Sequence, residues 1–207
     1  MTGKRDRHQR EVSPSMSEEH SPHTGVSLFT GGGIGDLSIR ACGVHILVAS
    51  ELLEDRAEVY RANYPETLMV SGDIRATKDV VQSETRAALQ GRPLDVLIAT
   101  PPCQGMSKNG RGKLLNGIRA GIKPQFDERN TLAFEAVELA LALDPRVIVF
   151  ENVPEMENTL VERPDGSVGD LLETIAMMLA PRYFGRWEVV DFADYGVPQR
   201  RQRLISV

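Results

Sequence analysis

The stretch Val26-Ser27-Leu28-Phe29-Thr30-Gly31-Gly32-Gly33-Ile34-Gly35-Asp36 reads as an apolar strand that runs into a glycine-rich turn and then a helix start. Glycines at this place let the chain turn tightly and bring backbone N–H groups close to a ligand. The next apolar run, residues 45–50, ends at Glu51, twenty residues after Gly31. That is the distance at which an acid binding ribose hydroxyls is expected. A third run closes near Gly72-Asp73-Ile74 and offers a second carboxylate at the same sheet edge. Two other readings stand beside this one: glycines that only make a strand–helix turn, and a dinucleotide site. The spacing does not complete G-x-G-x-x-G, because the last glycine position holds Asp36, and a carboxylate at a helix start repels a pyrophosphate. A phosphate-free, positively charged nucleoside suits an acidic rim better. S-adenosyl-L-methionine is such a ligand.

Outward from this stretch, short apolar runs alternate with amphipathic ones. Residues 26–29, 45–50, 67–70, 94–100, 147–150, 188–192 and 204–207 are expected as strands, and residues 36–41, 55–63, 78–89, 131–143 and 168–179 as helices. The helix over 131–143 is apolar nearly all round, as for one packed on a sheet, with Asn130 as its N-cap and Pro145 beyond its end. The alternation predicts an α/β fold with a doubly wound, mostly parallel sheet. Residues 1–24 are polar, without apolar period, and are expected to be a disordered tail. Residues 25–207 form the domain. Residues 107–126 break the rhythm with five glycines or prolines among five basic side chains. A mobile active-site loop and a solvated insertion both fit.

The chemistry-bearing residues follow the fourth and fifth strands. The fourth ends in Thr100-Pro101-Pro102-Cys103-Gln104-Gly105-Met106-Ser107, and ligands in such sheets sit outside the carboxyl ends of strands. A cysteine on a proline-stiffened turn there is placed as a nucleophile, whereas Cys42 reads as a small core residue. The fifth strand ends in Glu151-Asn152-Val153, where a structural capping role for Glu151 is the alternative. Gln199-Arg200-Arg201-Gln202-Arg203 precedes the last strand, with Arg201 and Arg203 on one face or merely on a solvated basic edge. Together they fit one reaction. Cys103 thiolate adds to C6 of a cytosine and makes C5 enamine-like, Glu151 assists at N3, and Arg201 and Arg203 stabilise charge at O2. A cytosine in a duplex must be flipped out to reach such a site.

The composition sets limits. Hydrophobic residues make up 41% and charged residues 26% of the 207, which suits one globular domain. No apolar run approaches the roughly 20 residues of a membrane span, and the N-terminus lacks a secretory apolar core, so a cytoplasmic protein is expected. Two cysteines with no CxxC argue against a zinc site, and they are read as free thiols. The net charge of −5 argues against strong independent nucleic-acid binding.

From residue 26 to the C-terminus the chain resembles the DNA cytosine-C5 methyltransferase family. Phe29-x-Gly31-x-Gly33 resembles its cofactor loop, with Ser27 where Asp is common. Glu51 and Asp73 match its ribose- and adenine-contacting acids. Pro102-Cys103-Gln104, Glu151-Asn152-Val153 and Gln199-x-Arg201-x-Arg203 match its catalytic, N3-contacting and late arginine motifs. The resemblance implies a Rossmann-like, S-adenosylmethionine-dependent methyltransferase domain. It implies Phe29, Gly31, Gly33, Glu51, Leu52, Asp73, Ile74 and Pro102 for the cofactor, and Pro101, Gln104, Ser107, Asn152 and Gln199 for the substrate, duplex DNA with a flipped cytosine. Members of the family usually continue into a target-recognition domain and a last helix. A second polypeptide carrying target recognition is therefore the expected partner. An RNA cytosine-C5 methyltransferase and a non-catalytic cofactor-binding subunit are the rival readings.

Overall fold

The computed structural model describes residues 23–102, 116, 120 and 126–207. The order of elements is β1 (His23–Leu28), α1 (Asp36–Ala41), β2 (Val44–Glu51), α2 (Glu54–Asn63), β3 (Leu68–Ser71), α3 (Ile74–Leu89), β4 (Val96–Ala99), α4 (Leu132–Leu143), β5 (Val147–Asn152), β6 (Leu160–Glu162), β7 (Val168–Asp170), α5 (Leu171–Leu179), β8 (Trp187–Asp191) and β9 (Gln202–Ser206). Seven strands form one sheet in the order β3-β2-β1-β4-β5-β9-β8, and β6 and β7 form a separate hairpin. The first five are parallel; β9 runs antiparallel to β5, and β8 to β9. This is the expected α/β sheet, and the strand order reverses between β1 and β4, where ligands collect in such folds.

β1 is central and covered on both faces, so residues Thr24 to Leu28 are all buried and its apolar run is continuous rather than alternating. One face packs against α3, α4 and α5 around Val26, Leu28, Val48, Leu97, Ala99, Ile148, Phe150 and Leu204. The opposite face holds a smaller cluster of Ile46, Ala49, Tyr60 and Ile98 near α1 and α2. There β5 and β9 leave Val149 and Ile205 only half-buried, the turn before α1 exposes Ile34, and α1 exposes Leu37. Helix α3 starts at Asp73, whose side chain accepts the Arg75 amide, and stops where Gln90 turns left-handed.

Four expectations are corrected. Residues 168–170 do not begin a helix. They pair with Leu160–Glu162 through a turn at Asp165-Gly166, where Gly166 takes φ +82° and Ser167 donates to Asp165. Asn130 is not the cap of α4, since a short 3-10 turn over Glu128–Thr131 precedes the helix and Thr131 takes the N-cap position. Cys42 is exposed rather than in the core, because it closes α1 at the turn into Gly43. Asp36 lies on no acidic rim. It is buried, and accepts hydrogen bonds from the Ser27 and Tyr60 hydroxyls at 2.7 Å each. Burial pushes its carboxyl above the usual range despite both donors.

The lower end of the sheet is held by Asp95. Its carboxylate accepts from the Thr24 amide at 2.8 Å and from Arg146 at 2.9 Å, linking the starts of β1, β4 and β5. The Thr24 N–H, and then the Arg146 charge, hold this carboxyl below its ordinary value of 3.8. Asp95→Ala is expected to cost about 2–3 kcal/mol in urea unfolding at neutral pH, since the Thr24 amide is left buried without an acceptor. A folded-state pKa below the unfolded one means that the contribution is complete above that unfolded value and is lost as pH falls through the lower one. The deficit of the variant therefore shrinks in acid. Unfolding curves of equal midpoint at neutral pH contradict this role.

Candidate active site

The carboxyl ends of β1 to β4 enclose a cavity of about 310 Å³, lined by Phe29, Glu51, Leu52, Asp73, Ile74 and Pro102 among others. Six of the eight residues expected to hold a cofactor thus share one wall. Gly31 and Gly33 shape the loop behind it. Gly31 takes φ +58° with open space where a side chain would start, and its amide donates to Glu51 Oε2 at 2.8 Å. Gly33 takes φ +85°, and a Cβ there would lie 2.5 Å from the Tyr64 ring, so only glycine fits.

Glu51 is 5% exposed, and its other oxygen accepts the Leu53 amide at 3.0 Å. Each carboxylate oxygen keeps a further lone pair for a hydroxyl in the cavity. Asp73 caps α3 at the rim and is exposed, with its second oxygen 3.7 Å from the Arg75 guanidinium. Phe29, Leu52, Ile74 and Leu132 give the cavity apolar walls. A planar base between apolar walls with a diol on Glu51 fits this set of donors and acceptors.

The sequence reading missed several wall residues. Leu53, Arg56, Arg75, Thr100, Arg129 and Leu132 also line the cavity. Arg129 is held by Asp127 at 2.6 Å, and its guanidinium keeps the Asp127 carboxyl down to about 2. Arg75 donates to the Glu128 carbonyl at 2.9 Å. Arg129 comes from the 3-10 turn before α4 and Leu132 from the start of α4, far in sequence from the glycine loop, and no local pattern marks them.

Next to the proline turn, β5 and β9 bring parts of two motifs together. β5 extends further than expected, so Glu151 and Asn152 belong to the strand itself. Glu151 is half-buried and accepts from Arg203 Nε at 2.8 Å. The β5–β9 pairing sets this contact, with Glu151 opposite Ile205 and Asn152 opposite Leu204. Arg201 does not join Arg203 on the carboxylate: it is exposed, and its amide is held by Asp191 at 3.0 Å. Gln199 is exposed in the same turn.

Asn152, expected to reach substrate, is instead buried at 3% exposure with both ends of its amide committed. Nδ2 donates to the Pro101 carbonyl at 2.9 Å, and Oδ1 accepts the Val153 amide at 2.8 Å. It ties the end of β5 to the proline turn, which leaves Pro101 buried and Pro102 in the cavity wall. Cys103, Gln104 and Ser107 lie outside the described residues, as does most of 107–126. Among the described residues, no cluster of three or more His, Cys, Asp or Glu side chains suits a metal ion, and no helix is long and apolar enough to cross a membrane.

Residues 23–207 match the family described as C-5 cytosine-specific DNA methylase. Among similar curated proteins, the Type II methyltransferase M1.HgaI of Avibacterium volantium is 35% identical over 87% of this chain and 48% of its own length. M.AquIA of Picosynechococcus sp. is 31% identical over 88% of this chain and 70% of its own length. The chain spans about half the length of the first curated relatives it matches. Two solved structures share the fold. One is a prophage-encoded DNA modification methyltransferase of E. coli, with TM-score 0.67 and 22% identity over 89% of this chain and 45% of that one. The other is Spodoptera frugiperda DNMT2, with TM-score 0.61 and 21% identity over 89% and 49%.

Proposed function

Because the chain belongs to the C-5 cytosine-specific DNA methylase family, we propose that it is the catalytic half of an enzyme that methylates C5 of a flipped-out cytosine in duplex DNA, with target recognition supplied by a second polypeptide. The observation that carries this reading is the Asn152–Pro101 hydrogen bond. It holds the proline turn against the strand bearing Glu151, with Pro102 in the cavity wall. Cys103 follows Pro102 in the sequence.

In this account the Cys103 thiolate forms a bond to cytosine C6, and Glu151 holds a proton at N3, where the displaced electron pair is drawn. Arg203, fixed on Glu151, stabilises the charge that builds at O2, and exposed Arg201 is left for the nucleotide. Bound on Glu51, Asp73, Leu52, Ile74 and Phe29, S-adenosylmethionine would supply the methyl group for C5. The C5 proton passes to water, and expulsion of the Cys103 thiolate restores the aromatic ring. The partner reading draws support from the net charge of −5 and from the incompletely covered sheet face at Val149 and Ile205.

The cofactor part has a direct test. S-adenosylmethionine is expected to raise the melting temperature of the chain and NAD to leave it unchanged, since only a true ligand shifts the folding equilibrium. Glu51→Ala is expected to weaken binding by about tenfold or more, as two ribose hydroxyls lose a charged acceptor. A shift with NAD alone, or none with the sulfonium, refutes the cofactor assignment.

A further inference from the structure

The nucleophile turn and the cofactor cavity share a side chain that none of the motifs includes. Thr100 stands between β4 and Pro101 and lines the cavity. Its Oγ1 donates to the Phe29 carbonyl at 2.9 Å, and its amide donates to the Leu28 carbonyl at 3.2 Å. Phe29 itself takes φ +61°, a left-handed conformation disfavoured for a bulky side chain, and such a residue persists only where its surroundings hold it. On the other side of the same peptide, the Thr30 amide donates to the Ser50 carbonyl at 3.1 Å. The Phe29–Thr30 peptide is therefore gripped at its oxygen by β4 and at its nitrogen by β2. The grip from β2 is made by backbone, which any residue would supply; the grip from β4 needs a hydroxyl.

We propose that Thr100 is a positioning residue whose hydroxyl locks Phe29 in the left-handed conformation, sets the aromatic wall of the nucleoside cavity and ties that wall to the turn leading into Cys103. The inference rests on the cofactor reading of the cavity. Threonine suits the task because a β-branched side chain has few rotamers, so the hydroxyl is aimed before Phe29 arrives. Without it the carbonyl loses its donor, the strained φ relaxes toward the extended region, and the ring leaves its place on the wall. Because Thr100 is joined directly to Pro101, whose carbonyl Asn152 holds, the cavity wall and the nucleophile turn move as one piece.

The test compares the full chain with Thr100→Val, which keeps the shape without the hydroxyl, and Thr100→Ser, which keeps the hydroxyl. S-adenosylhomocysteine binding is read by calorimetry, and amide hydrogen exchange at Thr30 and Gly31 by NMR. In Thr100→Val, affinity is expected to fall about tenfold and exchange at both amides to quicken, with Thr100→Ser within about threefold of the parent in both. A general packing defect would lower stability in both variants without this rescue. If Thr100→Val fails to fold, Thr100→Ala provides the second hydroxyl-free chain. Parent-like affinity and exchange in the hydroxyl-free chain overturn the proposal. If the parent binds no nucleoside, the cofactor reading fails separately, and the exchange data alone decide whether Thr100 holds the loop: unchanged protection refutes it.

Discussion

Replacing Cys103 by serine is expected to lower methyl transfer to DNA by about a thousandfold or more, with S-adenosylhomocysteine affinity within about twofold of the parent chain. A serine hydroxyl is a far weaker nucleophile than a thiolate, and the addition to C6 is the step that makes C5 reactive. The cofactor cavity should be left intact, because its walls come from Glu51, Leu52, Asp73, Ile74 and Phe29, with Pro102 the closest contributor in sequence. The check is a single-turnover assay of the chain mixed with the product of the neighbouring reading frame, beside a calorimetric titration of the chain. Loss of both activity and cofactor affinity would instead make Cys103 a structural residue of the turn. Retained transfer would remove it from the mechanism.

Glu151→Gln should lower kcat by about a hundredfold to ten thousandfold, the range for a lost general acid. Glutamine keeps an oxygen for the Arg203 Nε donor now 2.8 Å from the carboxylate, so the β5–β9 pairing and the fold should survive. What glutamine cannot do is hold a transferable proton at N3. The effect should fall on kcat, with cofactor affinity unmoved. An effect confined to the KM for DNA would make Glu151 a binding group, and parent-like kinetics would leave it the structural strand-end residue that its place in β5 also allows.

How much of this was legible in the sequence depended on whether the cause was local. The glycine turn after β1 could be read because Gly33 has no room for a side chain against Tyr64, which is a constraint on one position. Glu51 and Asp73 could be read because Glu51 ends β2 and Asp73 follows β3 by two residues, and strand ends at one edge of a parallel sheet converge by topology. Where the outcome depended on distant partners, the sequence misled. Asp36 stands at a helix start, where an acid ordinarily faces outward, but the Ser27 and Tyr60 hydroxyls draw it inward. Asn152 stands in a motif beside a candidate acid, yet its amide is consumed by Pro101, about fifty residues earlier. Arg201 and Arg203 alternate as expected of a strand, but only Arg203 lies within β9, and Asp191 holds the Arg201 backbone in the turn before it. The hairpin over β6 and β7 was the exception: Asp165-Gly166 is a local turn signal, overlooked because the following apolar residues suited a helix.

The central claim is that this sheet edge methylates cytosine in DNA when target recognition is supplied. The most direct measurement is transfer of a labelled methyl group from S-adenosylmethionine to mixed-sequence duplex DNA, and in parallel to tRNA, by the chain alone and together with the product of the neighbouring reading frame. Label is expected at C5 of cytosine in the duplex, from the mixture and not from the chain alone. Label in tRNA with none in the duplex, or no label in either acceptor from a mixture that binds the cofactor, would contradict it.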